Sequence, residues 1–160
     1  MEASTGPGAR IAALGNQLVD VHIRLRDDLE RLRADVDSFL DGGGDLPRDL
    51  RSHCLAFCSA LTRHHTGEDD GAFPALAERH PELRPVLEQL QQDHHVVTGI
   101  LRSLEVLVDG LGERTAAEDA QRVRAELDGL SAILETHFRY EEKKLAAVLD
   151  TLPVAPSPAF

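Results

Sequence analysis

The chain carries one pattern twice: Leu61-Thr62-Arg63-His64-His65-Thr66-Gly67-Glu68 and Leu134-Glu135-Thr136-His137-Phe138-Arg139-Tyr140-Glu141. In both stretches a leucine is followed three residues later by histidine and four after that by glutamate. Steps of three and four residues return to the same face of an α-helix. Each stretch therefore predicts a helix whose apolar stripe is interrupted by an imidazole and a carboxylate one turn apart. Two such pairs, roughly seventy residues apart in the chain, could meet in one bundle and hold two metal ions.

Reading outward, two further stripes have the same period. The first helical segment presents Leu18, His22, Leu25, Leu29, Leu32 and Val36. The third presents Leu83, Leu87, Leu90, His94, Val97, Leu101, Leu104 and Val108. The second stripe begins at Leu50, Cys54 and Phe57, and the fourth at Val123, Leu127 and Leu130 before continuing to Leu145 and Val148. Segments of this length with amphipathic stripes predict an all-α, antiparallel up-down-up-down four-helix bundle. Asp41-Gly42-Gly43-Gly44-Asp45, the stretch His80 to Pro85, and Asp109-Gly110-Leu111-Gly112 supply its connections, and Pro47 suits the first turn of a helix. Pro74 is expected to end or kink the second helix near Phe73. The predicted organisation is a disordered N-terminus over 1–9, the bundle over 10–150 and a Pro-rich tail over 151–160.

Composition agrees. Leu and Ala dominate an ordinary apolar content of 42%, aromatics are scarce at 4%, and the formal charge is −11. That mixture favours helix over strand. The acidic balance argues against phosphate-backbone binding and against anionic membrane surfaces. No apolar run is long enough to span a bilayer, and Met1 to Arg10 lacks an apolar signal core, so a cytoplasmic protein is expected. Cys54 and Cys58 lie one turn apart on one helix, which suits reduced core thiols better than a disulfide.

A histidine on each of four seams, with two glutamates in the same layer, points to a metal centre at His22, His64, Glu68, His94, His137 and Glu141. Burying two carboxylates without compensating positive charge would cost several kcal/mol per group, on the order of what desolvated ions cost. Imidazole and carboxylate without thiolate suit iron, manganese or zinc. Several neighbours read as bystanders. His65 and Asp69 are rotated about 100° from His64 and Glu68 and read as rim residues, Asp69 with a supporting role as the alternative. His95, His53 and His80 lie off the seam, near a bundle end and in a loop. Tyr140 reads as a packing residue, and Glu142-Lys143-Lys144 as a solvated face.

His22, the run His64-His65-Thr66-Gly67-Glu68-Asp69 on to Phe73-Pro74-Ala75-Leu76, Asp93-His94, and His137-Phe138-Arg139-Tyr140-Glu141-Glu142 recur in the order seen in one family. Over about residues 10 to 150 the chain resembles the hemerythrin-like (HHE cation-binding) domains. Ferritin-like di-iron bundles, by contrast, use Glu-x-x-His pairs, which this chain lacks. The resemblance implies two iron ions in a non-haem centre, with Glu68 and Glu141 as bridging carboxylates and dioxygen or hydrogen peroxide as partner. The chain departs from oxygen carriers in two ways. Thr98 stands where a second histidine of the third helix would be, and His137 is paired with Glu141 rather than with a more distant aspartate. Six ligands rather than seven imply a more open centre. Through the resemblance, a catalase- or peroxidase-like reaction is favoured over oxygen binding. The alternatives are an iron, oxygen or redox sensor without turnover, a biosynthetic di-iron oxygenase, and a metal-free bundle.

Overall fold

The computed structural model describes residues 7–42, 49–111 and 117–152. Four long helical segments make up the fold, with no strand among the described residues. They are α1 (Pro7–Leu40), α2 (Leu50–Gly67) continued by α3 (Phe73–Arg79), α4 (Arg84–Asp109) and α5 (Ala117–Leu149). Helix α1 begins at Pro7, inside the span expected to precede the bundle, and proline there fits a first turn whose N–H groups have no intrahelical acceptor. Each segment packs on its neighbours in sequence, and α1 closes the ring against α5. This is the expected four-helix bundle.

The seams are as predicted, with two adjustments. Every residue of the first two stripes is buried. In the third, Leu83 is only half-buried because it belongs to a 3-10 turn, Pro81–Leu83, ahead of α4. In the fourth, Leu149 is buried in place of Val148. Leu152 is also buried, so the first residues of the expected tail dock on the bundle.

Pro74 does not end the second helix. A π-helical turn, Glu68–Ala72, intervenes, and α3 resumes with Pro74 in its first turn. Proline cannot donate to the carbonyl four residues back and its ring crowds that carbonyl. The wider turn, in which the Phe73 N–H donates to the Glu68 carbonyl, accommodates this within a continuous helical path. The widening also buries Ala72, Phe73 and Leu76 together.

The core has two parts. One apolar cluster runs from Leu25, Leu61, Val97 and Leu134 to Val36, Leu50, Val108 and Val123. The other groups Leu14, Leu18, Phe73, Leu76, Leu90 and Leu145 at the opposite end. The polar layer with His22, His64, His94 and His137 lies between these clusters. The helices therefore stack as apolar, polar, apolar along their length.

Counted from the connection between α4 and α5, His94 and His137 stand at different distances. His137 lies farther from its connection than His94 does, and α5 begins at Ala117 with buried Ala120 in its first turns. The excess is taken up by additional helix at the start of α5.

Close packing of α1 on α5 is sharpest at Gly15, where a Cβ would collide with the Ala146 carbonyl oxygen. At Gly129, also within a helix, a Cβ would meet nothing within 4 Å. We expect Gly15→Ala to lower stability by about 1–3 kcal/mol through overpacking. Gly129→Ala should raise it by about 0.5–1 kcal/mol through helix propensity. Urea denaturation of both variants, read by circular dichroism, checks the opposite signs.

Candidate metal centre

Seven polar side chains are buried in the layer between the clusters: His22, His64, His65, Glu68, His94, His137 and Glu141. They comprise the six expected ligands and His65. Their donor atoms form two groups, each with all its atoms within 4.8 Å of one another. One group is His65, Glu68, His94 and His137; the other is His22, His64 and Glu141.

The two carboxylates lie between the groups. Glu68 Oε1 is 3.4 Å from His64 Nε2 and 3.5 Å from His94 Nε2. Glu141 places Oε1 3.5 Å from His22 Nε2 and Oε2 3.1 Å from His137 Nε2. Each glutamate thus reaches an imidazole of both groups. The Nε2 atoms of His22 and His64 approach to 3.2 Å, as two donors facing one point do.

Three histidines are oriented from behind. His137 Nδ1 lies 3.0 Å from Asp93 Oδ2, His94 Nδ1 2.8 Å from Asp69 Oδ1, and His22 Nδ1 3.1 Å from Glu142 Oε1. With the proton on Nδ1 donated to carboxylate, the Nε2 lone pair points inward. This is how metal-ligating histidines are fixed in tautomer and orientation. Rings provide further support. His22 stacks on Phe138 at 3.9 Å, and His65 stacks on His94 at 3.8 Å with Phe73 beyond.

Without a cation, the layer is poorly satisfied. Both oxygens of Glu68 and of Glu141, and the inward Nε2 atoms of His65, His94 and His137, lack a well-directed hydrogen bond within the protein. Burial, then the neighbouring Glu141, pushes the Glu68 carboxyl well above the usual carboxylate range. Burial would push Glu141 up too, but the close approach of Glu68, His137 and His22 outweighs it and holds Glu141 well below that range. Burial lowers His64 to about 3 and His65 well below the ordinary imidazole value, so both stand neutral as metal donors must. A buried, ring-supported set of imidazoles and carboxylates with unsatisfied lone pairs fits a cation.

His65 corrects the sequence reading. It is 6% exposed rather than on the rim, and it raises the converging set from six donors to seven. A more open centre, inferred from six donors, loses its basis. Cys58, seven residues earlier, is buried on the same side of α2. That repeat was the available signal: a helix facing two neighbours buries a stripe about three positions wide per heptad. Asp93 and Glu142 lie within the motif stretches of the resemblance but carry no periodic signal, because each serves a histidine on another helix. Glu142, read as part of a solvated face, is only 21% exposed. Asp69 takes the supporting alternative. His53 and His95 are exposed, His80 pairs with Glu82 and Thr151, and Tyr140 packs against the end cluster under Lys144.

A family model for the hemerythrin HHE cation-binding domain matches residues 14–149. The chain belongs to that family. Membership and the converging His/Glu donors together identify a metal-binding domain. No curated protein and no solved structure gives a significant match. Among the described residues no helix is long and apolar enough to cross a membrane.

The cysteines stand apart from the layer. Both are free and buried, and burial pushes the Cys54 thiol up to about 11 and the Cys58 thiol up to about 12. They should resist a thiol-reactive disulfide at pH 8 in folded protein and react once it is unfolded in urea. The stronger check on the site is His65→Ala against His95→Ala. The first should lose metal measured by elemental analysis, and the second should retain the wild-type content.

Proposed function

We propose that this domain holds a non-haem di-iron centre that binds or reacts with dioxygen or hydrogen peroxide. The pair of buried carboxylates, each reaching imidazoles of both donor groups, carries the reading. In it His65, His94 and His137 would hold one ion and His22 and His64 the other, with Glu68 and Glu141 available to both. Imidazole and carboxylate donors without thiolate suit iron among the common metals. Iron so held supplies electron exchange with dioxygen or peroxide.

The chain's own residues supply position, charge and exclusion of water. The two glutamates offset the positive charge of the ions, and the imidazoles remain neutral. Asp93, Asp69 and Glu142 hold three imidazoles with Nε2 inward. Apolar clusters above and below separate the layer from bulk water. Peroxide removal of the catalase or peroxidase kind is favoured over reversible oxygen binding on family resemblance.

Protein purified from iron-supplied cells should contain about two irons per chain and show bridged-iron charge-transfer absorption. Zinc alone, or no metal, overturns the oxygen-chemistry reading. Added peroxide should release dioxygen measured at an electrode; iron that binds without turnover would instead favour a sensor or carrier. His137→Ala and Glu68→Ala should each lose at least one iron, whereas His80→Ala should not. Full iron retention in both ligand variants refutes the assignment.

A further inference from the structure

The three carboxylates behind the histidines have different surroundings. Asp93 accepts a hydrogen bond from the Gln89 amide at 3.1 Å. Among the described residues, no arginine or lysine pairs with Asp93 or Asp69. Glu142 does have a cationic partner. Arg26 Nη1 donates to Glu142 Oε1 at 3.2 Å and Nη2 to Oε2 at 3.4 Å. Oε1 is also the oxygen that meets His22 Nδ1.

Arg26 is itself tied down. Its Nε donates to Glu135 Oε2 at 3.0 Å, and Glu135 Oε1 accepts from Arg139 at 2.8 Å. Its guanidinium lies 5.3 Å from the centre of the Phe138 ring, whose face stacks on His22. Arg26 thus contacts both supports of His22, the hydrogen-bonding carboxylate and the stacked ring. A forked guanidinium fixes the plane of the carboxylate it grips, which a point charge does not.

We propose that Arg26 is a positioning residue for the metal centre, locking Glu142 and Phe138 so that His22 presents Nε2 to the metal position it shares with His64 and Glu141. The inference rests on the reading that this group holds a metal. His94 and His137 have no such clamp, so the effect is confined to the His22 side. An ordinary cross-helix ion pair provides the contrast. Arg33, on the same helix, reaches Asp128 of α5 at 3.0 Å and is as exposed as Arg26, 30% against 29%. Asp128 touches no histidine of the layer.

The test compares Arg26→Gln, Glu142→Ala, the double variant and Arg33→Gln with wild type. Each is loaded anaerobically with iron(II) and challenged with a ferrous chelator. Loss of a partner behind a ligand typically weakens metal binding about 10–100-fold. Arg26→Gln should therefore release one of its irons about tenfold faster than wild type, within that range. The double variant should be little faster than Glu142→Ala alone, because Arg26 acts through Glu142. Arg33→Gln should match wild type. In metal-free, 15N-labelled protein the ring-nitrogen shifts of His22 should report the Nδ1–H tautomer for wild type and Arg33→Gln, and a tautomer mixture for Arg26→Gln. Arg26→Gln that matches Arg33→Gln in iron release and in tautomer overturns the proposal while leaving the metal reading intact. Multiplicative effects in the double variant overturn it as well. Wild-type protein that takes up no metal overturns the metal reading and, with it, the role given to Arg26.

Discussion

Two glutamates, Glu68 and Glu141, are fully buried at the middle of a four-helix bundle, and among the described residues no lysine or arginine stands beside them. Ionised carboxylates in such a place cost several kcal/mol each unless positive charge or hydrogen bonds compensate. The protein supplies five imidazoles, but a neutral imidazole with its Nδ1–H turned outward presents only a lone pair toward the carboxylates. Bound cations resolve the mismatch for both donor types at once. This electrostatic requirement accounts for much of the surrounding structure. It explains why the apolar core is split in two, why the histidines are stacked on Phe138 and Phe73, and why further carboxylates stand behind the imidazoles.

Those outer carboxylates show how a rigid site arises on ordinary helices. His137 is served by Asp93 from α4, His94 by Asp69 from the π turn, and His22 by Glu142 from α5. Each contact crosses a helix interface, so fixing the imidazoles also ties the helices to one another. The π turn contributes in the same way. It begins at Glu68, carries Asp69 toward His94 and buries Phe73 beside the His94 ring. A distortion imposed near Pro74 therefore coincides with the segment where one helix supplies a central carboxylate, an outer carboxylate and a packing ring. π turns interrupting helices often occur at functional sites, and here the reason lies in these three placements.

Much of the bundle was legible in the residues alone. Stripes at alternating three- and four-residue steps located four helices and nearly every core position, because helical period dictates which side chains share a face. The same logic found His22, His64, Glu68, His94, His137 and Glu141, since polar groups on an apolar seam stand out against their neighbours. It failed at His65. A narrow seam through Leu61, His64 and Glu68 leaves the next residue outside, but α2 packs against both α1 and α4, and its buried face is wide enough to include Cys58 and His65.

The sequence by itself therefore determined the helices, their apolar faces and a layer of six metal-compatible side chains, all of which follow from local periodicity. Only the tertiary structure decided which donors share a group, that His65 makes a seventh, and which carboxylate stands behind which imidazole. It also decided that Arg26 reaches Glu142, 116 residues away in the chain. Periodicity gives the face on which a side chain lies, whereas partnership across an interface depends on the rotation and level of two packed helices. No single helix's sequence encodes that relation.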